Sequence, residues 1–210
     1  MLIGEVRMGD DLNTRRIAGG PLLPVVLVGL ASEPQGLALI DQITGALFVT
    51  EGLHREVHEG RAFHAFFKTP DNTPIADNAA INIKITVPLG KEFHLVWESA
   101  VGGEHEREVL EDPLTTGGTA FTPHNMRRGS GNVSTAIVLT GVTVNAAGTL
   151  LDNQMVPGGT TGLRSGGIGQ MRAGAEWILQ GGKGYVLRAT NRSGGTAQAS
   201  ISAVWYEENA

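Results

Sequence analysis

His54 and His58 stand four apart in HREVH, the spacing at which two imidazoles of a helical zinc-protease motif share one metal ion. In that motif the general base follows the first histidine directly; here Arg55 follows, and Glu56 comes one place too late. The run also leads into an apolar segment, so it reads as an exposed strand entry rather than a metal-binding helix. His64 and His94 lie inside apolar runs and lack the His-x-His pair with a nearby carboxylate that a metal-binding cupin requires. They read as half-buried histidines with satisfied ring nitrogens. Glu104, Glu106 and Glu108 alternate with His105, Arg107 and Val109. Paired carboxylates can hydrolyse a glycosidic bond, but residues two apart on one strand point the same way and leave no slot for a sugar. A solvated edge strand that discourages sheet-to-sheet addition is the expected reading.

Other motifs are weaker. GGKG at 181–184 lacks the earlier glycine and the following Ser or Thr of a phosphate-binding loop, and reads as a hairpin turn. SGGIGQ lacks both the glycine spacing and the βαβ context of a dinucleotide site, and no serine sits in a G-x-S-x-G elbow. Asn132 and Asn191 begin Asn-x-Ser sequences, which matter only in a secreted chain. Trp97, Trp177 and Trp205 offer rings on which a sugar could stack, although burial in a core is the expectation. No catalytic, cofactor-binding or metal-ligating residue is expected, and the chain reads as non-enzymatic.

Composition narrows the partners. A net charge of −5 argues against binding nucleic acid through phosphate neutralisation, and Arg127-Arg128 is a pair rather than a basic stripe. Without cysteine there is no disulfide framework and no thiolate chemistry. PLLPVVLVGLA, at eleven residues with two prolines, falls short of the roughly 20 apolar residues that span a bilayer, so no membrane is expected. The first residues lack the order of a secretory signal. Glycine is in excess, with 30 among 210 residues, roughly twice ordinary usage. These glycines fall between β-like runs, where turns need positive φ.

These features predict an extended N-terminal arm over residues 1–55 and a β-sandwich over 56–210. Residues 1–59 carry 4 basic and 8 acidic side chains, against 12 and 13 in the remainder. LALIDQITGALFVTE (37–51) reads as a hairpin turning at Gln42-Ile43-Thr44-Gly45, within an arm broken by Pro21, Pro24 and Pro34. Beyond it, strands are expected at 61–68, 80–88, 91–101, 104–112, 132–145 and 149–157, with three more in the last 35 residues. Ile81, Ile83, Ile85 and Val87 share one face at period two, as do Ala199, Ile201, Ala203 and Trp205. Eight or nine short strands separated by Gly, Pro and Asn turns fit an all-β, jelly-roll-like β-sandwich. The Gly-rich stretch 157–174 reads as a long connection that either faces a partner or moves freely.

HEGRAFHAFF, VWESAVGGEHEREVLEDP, LTTGGTAFTPHNMRRGSGNVSTAIV, GTLLDNQMVPGG and EWILQGGKGYVLRATNRSGGTAQASISAVWYEE carry a resemblance. From about Glu56 to Glu208 the chain resembles jelly-roll structural virion proteins of tailed bacteriophages. The resemblance implies a virion component assembled in the host cytoplasm, foremost a capsid decoration or cement protein. Its partners would be the phage major capsid protein and copies of itself, with a trimer as one candidate assembly. A tail, baseplate or fibre protein is the alternative, and a host-glycan-binding module is a further one. The candidate partner-binding residues are the apolar arm positions Pro21, Leu22, Leu23, Pro24, Val25 and Val26, together with Arg127 and Arg128.

Overall fold

The computed structural model describes residues 39–40, 47–48, 52–158 and 176–210. The chain divides into two compact units, Met1–Val49 and Thr50–Ala210. In the first, β1 (Leu39–Ile40) pairs antiparallel with β2 (Leu47–Phe48), the hairpin expected over 37–51. Its turn, the arm positions Pro21 to Val26 and most of the Gly-rich connection lie outside the described residues.

In the second unit, helix α1 (Gly52–Glu59) precedes β3 (Ala62–Lys68), β4 (Ala80–Thr86), β5 (Lys91–Val101) and β6 (His105–Glu111). Five short strands follow: β7 (Leu114–Thr116), β8 (Thr119–Phe121), β9 (His124–Asn125), β10 (Ile137–Thr140) and β11 (Thr143–Ala146). The return half is β12 (Thr149–Val156), β13 (Trp177–Leu179), β14 (Gly184–Asn191) and β15 (Ala199–Asn209). The two halves pair as one antiparallel ribbon, β6 with β12, β5 with β13, β4 with β14 and β3 with β15. Rolling that ribbon sets β14 against β6 and β15 against β5 as well. The outcome is a six-stranded sheet, β12-β6-β14-β4-β10-β8, and a five-stranded sheet, β13-β5-β15-β3-β9. Successive strands of a ribbon wound between two sheets in this order make a jelly roll.

The inward positions close one core. Ile81, Ile83, Ile85 and Val87 are all buried, as are Ala199, Ile201, Ala203 and Trp205, so both expected alternations hold. Trp205 is fully enclosed, with ring centroids 6.2 Å from Phe93 and 6.3 Å from Phe63. Each large apolar side chain so buried contributes about 1.5–3 kcal/mol. Two residues on, Glu207 is buried with no cation beside it among the described residues. Its carboxylate instead accepts from Trp205 Nε1 (3.2 Å), Thr135 N (3.1 Å), Thr135 Oγ1 (2.7 Å) and Ser134 Oγ. Hydrogen bonds replace the water it lost, and they tie the segment before β10 to the last strand. Outside the six-stranded sheet, the β7–β11 ribbon covers a second small cluster of Leu110, Val142 and Val186.

Three local expectations change. The HREVH run is helical, not a strand entry. Gly60, at φ +74°, ends α1 in the left-handed conformation, with Gly60 N bonded to Val57 O and Arg61 N to Glu56 O. That double bond is the C-terminal helix cap that glycine favours. The expected domain division at 55/56 therefore falls within α1. The run 132–145 is two strands rather than one. Gly141, at φ +70°, breaks it, and Asn82 clamps the break by accepting from Gly141 N and donating to Val142 O. The glutamate-bearing strand β6 is interior, flanked by β12 and β14; β12 pairs along its length and takes the edge position instead.

Candidate docking face

Arg127 and Arg128 lie in an exposed turn after β9. Arg127 donates from Nη1 to the carbonyl of His58 at 2.7 Å, satisfying one of the orphan acceptors in the last turn of α1. Its backbone N–H is held by Asn125 Oδ1 at 2.9 Å. This residue's contact is thus structural, while Arg128 remains exposed beside it.

The outer side of the five-stranded sheet carries a feature that linear reading missed. Strand alternation turns His94 and Val96 of β5, Tyr206, Val204 and Ser202 of β15, and His64 and Phe66 of β3 to this side. Register then aligns Val96, Val204, His64 and His124 across four strands. Phe66 is 46% exposed, stacks on His64 at 5.7 Å and meets Phe121 edge-on at 5.4 Å. Phe121 comes from β8, the end strand of the other sheet, and lies edge-on to His124 at 5.5 Å. At the far edge Ile178 is 62% exposed beside His94. Exposed Phe66, Val96 and Ile178 lie on one sheet face among polar groups, which makes it a candidate docking surface.

The polar groups on this face are held rather than poised for reaction. His94 lies flat on Tyr206 at 4.4 Å and between two carboxylates, Nδ1 at 3.2 Å from Glu176 and Nε2 at 3.7 Å from Glu208. Burial, then a hydrogen bond with Glu176, raises the Tyr206 phenol far above its usual range. His64 Nε2 meets Ser202 Oγ at 3.0 Å. Burial holds this imidazole below its usual range, and His124 adds to that effect. A second histidine–serine pair, His105 and Ser99 at 3.1 Å, is sealed in the interior, where His105 Nδ1 faces Gly103 O instead of a carboxylate. A serine nucleophile needs a base oriented by a third group and donors for an oxyanion. The bonds of neither pair supply those parts.

The outer side of the six-stranded sheet is built differently. Glu106 accepts from Arg192 Nη2 (2.6 Å) and Nε (3.0 Å) and from Asn153 Nδ2 (2.6 Å). Those bonds, led by Arg192, hold its carboxyl below the usual range. Arg188 bridges Glu108 at 3.4 Å and Asn82 at 3.1 Å, and Ile137, Leu150 and Met155 are exposed on the same side. A shallow groove of about 490 Å³ opens nearby among Phe67, Ile75, Asn82, Val144 and Arg188, without an acid or base to act in it. Among the described residues, no group of three or more His, Cys, Asp or Glu is placed to hold a metal ion.

Two of the three tryptophans are unavailable to a sugar. Trp205 is core, and Trp97 is buried under the Arg107 guanidinium, 4.2 Å above its ring. Asn191, at the second Asn-x-Ser sequence, is fully buried and donates to the carbonyls of Ile75, Ala76 and Gly195. Comparison of this chain with protein-family models, with curated proteins and with solved structures returns no match.

Proposed function

We propose that this chain is a non-enzymatic structural protein of a tailed-bacteriophage particle, one that decorates and cements the capsid shell. The observation that carries this reading is the exposed face of Val96, Phe66, Ile178, His64 and His124, set on a rigid sandwich. The resemblance of the quoted segments to virion proteins supplies the particle. A stiff jelly roll presents this face to the capsid protein without reordering, which limits the entropy lost on docking. Many copies bound at once to a repeating shell turn modest single contacts into strong attachment, and a symmetric oligomer, such as a trimer, would add to that effect.

Locating the protein in an electron-microscopy map of its particle tests the reading. Hundreds of copies on the shell support it, whereas a few to a few dozen on the tail overturn it in favour of a tail or baseplate component. Deleting Met1 to Ser32 is expected to leave a folded sandwich that no longer joins the particle. Normal assembly of the truncated chain would refute the arm's part in attachment.

A further inference from the structure

We propose that His54 and His58 form a chelating site for a divalent first-row transition ion on the exposed side of α1. On a strand, residues four apart would be separated by about 13 Å. On this helix their Nε2 atoms approach to 2.9 Å, with the rings edge-to-face at 4.5 Å and both side chains exposed. In the metal-free chain that contact is a hydrogen bond between the two rings. Modest rotation of the two exposed side chains turns both Nε2 lone pairs from each other toward a common point beside the N···N line.

The bite selects the ion. With metal–imidazole bonds of about 2.0–2.1 Å, two nitrogens 2.9 Å apart subtend roughly a right angle. That suits the tetragonal or square-planar preference of Cu(II) and Ni(II) with the two nitrogens kept at their present separation. Tetrahedral Zn(II) requires the nitrogens to spread by about 0.4 Å. Among the described residues the two imidazoles are the protein's contribution, and water completes the coordination sphere. The site is organised beforehand by contacts that do not involve the rings. Arg127 holds the His58 carbonyl, Gly60 and Arg61 cap the helix, and Glu56 turns inward to Arg61 at 2.6 and 3.0 Å. His58 lies in the last turn of α1, where the helix dipole favours a cation.

Calorimetric titration of the full chain with copper(II), nickel(II) and zinc(II) chlorides near neutral pH tests this assignment. One ion per chain is expected, with copper tightest. His54→Gln and His58→Gln should each weaken binding about tenfold or more, while His64→Gln and His124→Gln leave it unchanged. Copper electron paramagnetic resonance should report two imidazole nitrogens in the parent and one in either α1 variant. Circular dichroism of the variants, whose altered side chains are exposed, should match the parent. Failure to bind any of the three ions, or binding that survives in His54→Gln and His58→Gln (an ion held at the chain terminus, for instance), would overturn it.

Discussion

The two outer faces of the sandwich share a core and differ in how their polar groups are held. On the six-stranded side, Glu106 and Glu108 meet the guanidinium groups of Arg192 and Arg188, beside exposed Met155, Leu150 and Ile137. On the five-stranded side, Val96, Phe66 and Ile178 are exposed and the histidines lean on aromatic rings. A ladder of mutually satisfied charges loses its hydration if a partner covers it, and gains few new bonds in exchange. An apolar, aromatic face gains by being covered. The difference teaches which side ties its strands together with arginine–carboxylate pairs.

The sharpest test of the shared core is Trp205→Ala, expected to cost about 3–5 kcal/mol in denaturant unfolding and to loosen both faces together. Independent melting of the two sheets would break the comparison at its root. Next, Arg188→Ala should cost roughly 1–3 kcal/mol, because it leaves the half-buried Glu108 without its cation. Ile178→Ser, on the exposed face, should stay within about 0.5 kcal/mol of the parent. Equal losses from these two would show that the faces do not differ in how they stabilise the fold. For docking the order reverses. Val96→Glu should weaken co-sedimentation with capsids about tenfold, while Met155→Glu, on the other outer face, should leave it unchanged; the converse result would move the docking surface to the other sheet.

The smallest effect separates the faces by pH. The imidazoles of His64 and His105 are held below the ordinary 6.5, by burial first in both cases. Below that pH the unfolded chain binds more protons than the folded one, so this contribution is complete above 6.5 and is lost as the pH falls through the lower folded values. Glu106, held below 4.5 chiefly by Arg192, contributes above 4.5 and loses that contribution as the pH falls further. Melting temperatures across this range should therefore decline in two steps. His64→Gln should shrink the upper step, and Arg192→Gln the lower. An unchanged profile in both variants would remove the electrostatic side of the comparison.

Period-two alternation in AINIKITVP and QASISAVWYEE was legible because it is a local property: side chains two apart share a face wherever the strand is placed. The turns at Gly117-Gly118, Gly148, Gly182 and Gly194 were legible for a similar reason, since each of these glycines adopts a positive φ. Strand neighbours were not. Whether the glutamates of β6 stand at an edge or inside a sheet depends on β12, some forty residues along the chain. Histidine spacing was equally ambiguous, because four residues separate two rings widely on a strand and bring them together on a helix. Gly60, with its cap to α1, was the local signal that would have decided between them.

By itself, then, the sequence determined an all-β sandwich, its inward residues and its glycine turns, all set by interactions within a few residues. Only the tertiary structure decided which strands are neighbours. That rolling of the ribbon brought His64, Phe66, Phe121 and His124 onto one surface and matched each β6 glutamate to its cation. Such contacts join residues distant in the chain, and their geometry exists only once the two sheets have closed on a common core.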